Sequence, residues 1–161
     1  MTVTAMSRYL STVVVSLFAA AGTACPPADD EIEVNVLSIL ASEHRKDVEP
    51  KLTEFAKQAR KKDSSLTGFR LDRSNSEKLK LGETKKFPVA GDQVVEVTIN
   101  KERNEKGRIV LTIKPPKLAQ ITYECVCDKY FSMATQHFEG KGKEREQLFI
   151  AVMAKPCVNK K

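Results

Sequence analysis

The chain has 161 residues, with 27 Lys and Arg against 21 Asp and Glu, a formal net charge of +6, no Trp and 6% aromatic residues. That length holds one domain with its own core and falls short of two. Basic residues interleaved with acids, with so few aromatics, argue against a nucleic-acid channel, which needs clustered charge and stacking platforms; lysines spread in this way read as a solvated surface.

Residues 1–24 read as a signal peptide. Arg8 precedes the apolar run Leu10 to Gly22 (LSTVVVSLFAAAG), which is shorter than the roughly 20 residues that span a bilayer. Met6 is a second candidate initiator, since Ser7 and Arg8 then form a short charged segment ahead of the same run. Small residues at Gly22 and Ala24 suit an ordinary cut after Ala24. The end Thr23-Ala24-Cys25 also resembles that of bacterial lipoprotein signals, although Gly22 stands where Leu is usual; the resemblance makes Cys25 a lipidation candidate. Both endings stay open. Without residues 1–24 the chain keeps 26 basic and 21 acidic groups, net +5, because only Arg8 is removed. Residues 25–31, with Pro26, Pro27, Asp29, Asp30 and Glu31, read as a solvated tether.

Residues 32–161 read as a single α+β domain. In IEVNVLSIL, Ile32, Val34 and Val36 alternate before the segment turns uniformly apolar, which predicts a strand entering a core. In DVEPKLTEFAKQARKK, Val48, Leu52, Phe55, Ala56 and Ala59 fall on one helix face. Asp47 or Glu49 suits its start, Pro50 is tolerated in the first turn, and Arg60 to Lys62 complement the dipole at its end. From residue 66 the period becomes two, in about seven short segments. Leu66 to Leu71 is placed beside the first strand, Lys78 to Leu81 is a separate segment ended by Gly82, and Phe87 and Val89 lead to Gly91. Val95, Val97 and Ile99, then Ile109, Leu111 and Ile113, predict a hairpin around the polar loop Lys101 to Gly107, ended by Pro115-Pro116. Ile121, Tyr123, Cys125 and Cys127 share one strand face; Tyr130 to Phe138 is a further strand; Leu148 to Ala154, apolar on both faces, is expected at the centre of the sheet. The fold expected is one amphipathic helix packed on a mainly antiparallel β-sheet.

An exported chain favours disulfides, and the candidates are Cys127, Cys157 and Cys125. Cys125 and Cys127, two apart on one face, are poorly placed to bond each other, so either of them to Cys157 is the expected link. The same three cysteines with His137 form the sharpest metal reading, but a CxC lacks the spacing of structural zinc motifs, and no metal or cofactor is expected. His137 reads as a polar or core strand residue, and His44 as an exposed side chain near the helix start. No GxSxG or HExxH is present. Gly140-Lys141-Gly142-Lys143 lacks a Walker frame and falls in a hairpin loop. Asp29, Asp30, Glu31 and Glu33 lie at or beside the tether, where no pocket raises a pKa.

The layout around VNVLSILASEHRKDVEPKLTEFAKQ resembles small uncharacterised secreted proteins and lipoproteins of bacteria. GRIVLTI (Gly107 to Ile113) and LFIAVMAKP (Leu148 to Pro156) also look like strands near the C-terminus of secretin-type outer-membrane channel subunits. The expected role is an exported, non-catalytic interaction or assembly module of the periplasm or cell envelope, anchored by lipid on Cys25 or freely secreted. Its expected partner is an envelope protein, bound at a sheet edge or polar loop. The alternatives are a binding module for a small or acidic ligand, and an enzyme without recognised motifs.

Overall fold

The computed structural model describes residues 31–125 and 129–155. The signal peptide, nearly all of the tether, and Cys25, Cys127 and Cys157 lie outside them. Eight strands form two antiparallel four-stranded sheets: β1 (Ile32–Ser42), β2 (Gly68–Leu79), β7 (Phe131–Glu139) and β8 (Glu146–Lys155) in the order β2-β1-β8-β7, and β3 (Thr84–Pro88), β4 (Val94–Ile99), β5 (Val110–Lys114) and β6 (Ile121–Glu124) in sequential order. One helix, α1 (Thr53–Lys62), follows a single 3-10 turn at Pro50–Leu52. The α+β class and a helix packed on a sheet are as expected, with the strands divided between two layers. No described helix is long and apolar enough to cross a membrane.

Alternation explains the layering. Ile32, Val34, Val36 and Leu40 of β1, with Leu148, Ile150 and Val152 of β8, face Phe87, Val95, Val97, Ile99, Leu111 and Ile113 of the second sheet. Each such side chain is worth about 1.5–3 kcal/mol when fully buried. The opposite face of the first sheet presents Ile39, Ala41, Phe69, Phe149 and Ala151 to Leu52, Ala56 and Ala59 of the helical segment. Phe55 sits edge-on to Phe69 at 5.8 Å and to Phe149 at 5.6 Å. The helical face is the one the periodicity predicts, but α1 starts later than the pattern suggests. Pro50 heads the 3-10 turn, and Val48 forms an isolated bridge to Phe69.

The region 66–81 departs from expectation. The two segments read as Leu66 to Leu71 and Lys78 to Leu81 are bridged by the single strand β2, which takes Gly68 to Leu71 of the first and Lys78 and Leu79 of the second and pairs with β1 from Gly68 opposite Ser42 to Leu79 opposite Ile32; Leu66 precedes it and Leu81 lies in the turn after it. Its polar middle, Arg73 to Lys78, stays extended because β2 is an edge strand whose ladder needs no burial. A bulge makes this workable: Ser38 pairs with Arg73 and Ile39 with Leu71, leaving Asp72 over. The extra residue flips the pleat, so that Phe69 and Leu71 face the helix whereas Leu79 faces the second sheet.

The expected hairpin β4–β5 forms, with Val97 opposite Ile113 and Ile99 opposite Leu111. β8 lies between β1 and β7, central as its apolar run predicts. Gly140 opens the β7–β8 connection at φ +75°, and a Cβ there would collide with the backbone of Glu144.

Candidate functional site

Among the described residues, most buried polar side chains are engaged within the fold, His137 Nδ1 being an exception. Glu146, at the start of β8, accepts both Nε (3.0 Å) and Nη2 (2.6 Å) of Arg70 across β1, and Nη1 of Arg45 at 3.1 Å. Its side chain is 9% exposed. Hydrogen bonds from Arg70 hold its carboxyl below the usual carboxylate range. A carboxylate saturated by two guanidiniums is a clamp and a poor general base.

His137 lies in the irregular part of β7, where pairing is interrupted between Ala134 and Phe138. Its Nε2 is 2.6 Å from Glu139 Oε1, and its Nδ1 is buried without a partner among the described residues. The nearby Thr135 hydroxyl donates to Leu148 O at 2.9 Å and accepts from the His137 backbone N–H, so it is not poised as a nucleophile. His44 is exposed in the loop after β1. Gly140 to Lys143 occupy the β7–β8 connection, with a single 3-10 turn at Gly142–Glu144.

Cys125 follows β6, donates its backbone N–H to Ile109 O at 2.8 Å, and is buried. Its sulfur is in a disulfide, whose other cysteine falls outside the described residues, and lies 3.3 Å from Ala154 O. A sulfur bonded in this way offers no thiolate to a metal. Among the described residues no three His, Cys, Asp or Glu side chains are grouped as metal ligands.

The unsatisfied surface is elsewhere, between α1 and β7. Ser132 and Ala134 point to the helix side of the first sheet, opposite Ala151 and Phe149 of β8, yet α1 packs on β1, β2 and β8 and does not reach them. Ala134 is exposed and Ser132 half-buried. Two hollows result, of about 370 and 230 Å³, both bordered by Phe55, Gln58 and Ser132. Leu37, Ile39, Phe149 and Ala151 supply the rest of the apolar floor. Lys51 and Lys129 stand at one end of this groove and Lys62 at the other. No ion pair engages these three lysines among the described residues. Of the acids on the same rim, Glu54 is paired with Lys57 at 2.7 Å, and Asp63 keeps its negative charge, held below the usual carboxylate range by the Ser65 hydroxyl at 2.6 Å, so the three lysines outnumber one uncompensated carboxylate. The rim is therefore basic and the floor apolar.

The sequence pattern marks Phe55 as part of the packed helix face and Tyr130 to Phe138 as a strand, but nothing in it places the two side by side with a gap between. The signal that was present is compositional: Ser132 and Ala134 are too small to fill the space beside Phe55.

No family model, curated protein or solved structure matches the chain.

Proposed function

We propose that this chain is an exported, non-catalytic interaction module of the bacterial cell envelope, which holds a protein partner and is anchored by lipid where Cys25 is acylated. The observation that carries the reading is the open groove along the β7 edge: an apolar floor with a polar rim is the surface pattern of a binding site. Support also comes from Glu146 and Thr135, whose polar groups are committed to holding the fold. The export signal read in residues 1–24 supplies the compartment.

The test is photo-crosslinking in living bacteria, with the crosslinking side chain placed in turn at Gln58, Ser132 and Thr122, followed by fractionation and intact mass of the chain. The expected result is a discrete adduct with one envelope protein, from a chain beginning at Cys25. Absence of any adduct from all three positions, or a chain that stays in the cytoplasm with its first 24 residues intact, would overturn the proposal.

A further inference from the structure

The geometry points to an extended, acidic segment of the partner, added to β7 as a further strand with alternate apolar side chains seated in the α1–β7 groove. This inference rests on the interaction role just proposed and specifies its chemistry.

The edge comes first. β7 pairs with β8 alone, in regular register from Phe131 opposite Val152 to Ala134 opposite Phe149, and no described strand covers its other side. A row of backbone N–H and C=O groups along such an edge is a template for strand addition. The ladder is then interrupted between Ala134 and Phe138, which limits the regular template to the stretch beginning at Phe131. The four residues from Phe131 to Ala134 extend about 13 Å at the rise of a strand.

The side chains fit the same occupant. An added strand lies about 4.8 Å from β7, with every second side chain on the helix side. Those side chains would stand beside Ser132 and Ala134 and against the Phe55 ring, over the 370 and 230 Å³ hollows. Hollows of that size take a few apolar side chains, whereas a helix is about 10 Å across and would be stopped by Phe55 and Gln58.

Charge selects the partner. Lys51, Lys62 and Lys129 border the groove with no ion-pair partner among the described residues, Glu54 is paired with Lys57, and Asp63 is the one uncompensated acid on the rim, leaving it net positive. An acidic segment gains from this rim in attraction and in orientation. The rim also weighs against a second copy of the chain: pairing β7 with β7 about a two-fold axis would bring two lysine-rimmed grooves together.

The experiment uses the purified full chain and a labelled short peptide in which glutamate alternates with valine, read by fluorescence anisotropy. Comparison peptides replace glutamate by lysine or carry N-methyl groups on alternate backbone nitrogens. The expected result is binding of the glutamate peptide only, because lysine inverts the charge and N-methylation removes the strand donors. Ser132→Trp, which fills the groove, and the combined Lys51→Glu, Lys62→Glu and Lys129→Glu change should each weaken binding by about tenfold or more, whereas Thr122→Trp on the far sheet should not. All of these substitutions are at exposed or half-buried positions, and unchanged melting temperatures confirm that the variants fold. Equal binding of the N-methylated peptide, insensitivity to both groove variants, or no binding of the glutamate peptide would overturn the inference. So would a dimer of the chain alone that Ser132→Trp dissolves. If the peptide fails while crosslinking at Thr122 still captures an envelope protein, the interaction role stands and this groove is not its site.

Discussion

Glu146 is the residue on which three separate segments converge: Arg70 from β2, Arg45 from the loop after β1, and β8 itself. Arg45 also binds Asp47, at 2.9 Å, so the loop leading to the helical turn is tied to the same point. The folded-state carboxyl of Glu146 is depressed, first by hydrogen bonds from Arg70. A depressed carboxylate contributes stability that is complete above its unfolded value of about 4.3 and is lost as pH falls through that value toward the folded one. Glu146→Gln keeps the shape, removes the charge and leaves two guanidiniums facing a neutral amide. It is expected to lower stability at neutral pH by about 1–3 kcal/mol. The gap from the parent chain should begin to narrow below about pH 4.3, where the unfolded chain takes up its proton, and close only as the folded carboxyl, held lower, is protonated in turn. Urea denaturation at both pH values checks this; an unchanged gap at low pH would mean that shape rather than charge holds the cluster. Asp47 and Asp63 are shifted in the same direction by Arg45 and by Ser65, but both are exposed and belong to the surface.

At the scale of elements, β2 carries the sharpest test. Asp72 is the extra residue that lets one strand present Phe69 to the helix and Leu79 to the other sheet. Its carboxylate also accepts the Ser38 hydroxyl at 3.2 Å, and that buried oxygen accepts the Ala90 backbone N–H at 3.1 Å, joining the two sheets. Asp72→Ala should cost only about 1 kcal/mol through the lost hydrogen bond. Deleting Asp72 should do far more, because it turns either Phe69 or Leu79 onto the wrong face, and loss of cooperative unfolding by circular dichroism is expected. A deletion variant as stable as Asp72→Ala would show that the bulge is dispensable. The same element marks where pattern reading stops. Alternation made the β4–β5 hairpin legible, because Val95, Val97, Ile99, Leu111 and Ile113 all face one core. It could not join Leu71 to Lys78, since the six residues between them, Asp72 to Glu77, are all polar and carry no hydrophobic period. Nor could it show the groove: Phe55 is legible as part of a helix face and Tyr130 to Phe138 as a strand, but their separation depends on how far α1 sits toward β2, which is set by tertiary contacts such as those of Phe55 with Phe69 and Phe149.

In the whole molecule, the two sheets share an apolar core, and specific contacts fasten its margins. Ser38 and Ala90 join them at one place, with Asn75 donating to Pro88 O at 3.0 Å and Lys85 facing Glu77 at 4.0 Å on the same side. Another lies at the end of β6, where Tyr123 stacks on Phe131 at 4.3 Å and Cys125 is buried against Ala154 and held in a disulfide. Cys125 precedes Lys129, Tyr130 and Ser132, the strand side of the groove, by only four to seven residues in the sequence. The disulfide therefore bears on both stability and binding. Reduction should destabilise the domain by about 2–4 kcal/mol and lower its melting temperature by about 5–15 °C. It should also weaken peptide binding at temperatures where the chain is still folded, because the first residues of the β7 edge lose their covalent support. Melting curves and anisotropy with and without reductant, with alkylation confirming that Cys125 has become free, separate the two effects. A lower melting temperature with unchanged binding would assign the bond to the joining of the sheets alone, and unchanged values of both would mean that the Tyr123–Phe131 stack and the buried strand contacts suffice to hold the corner.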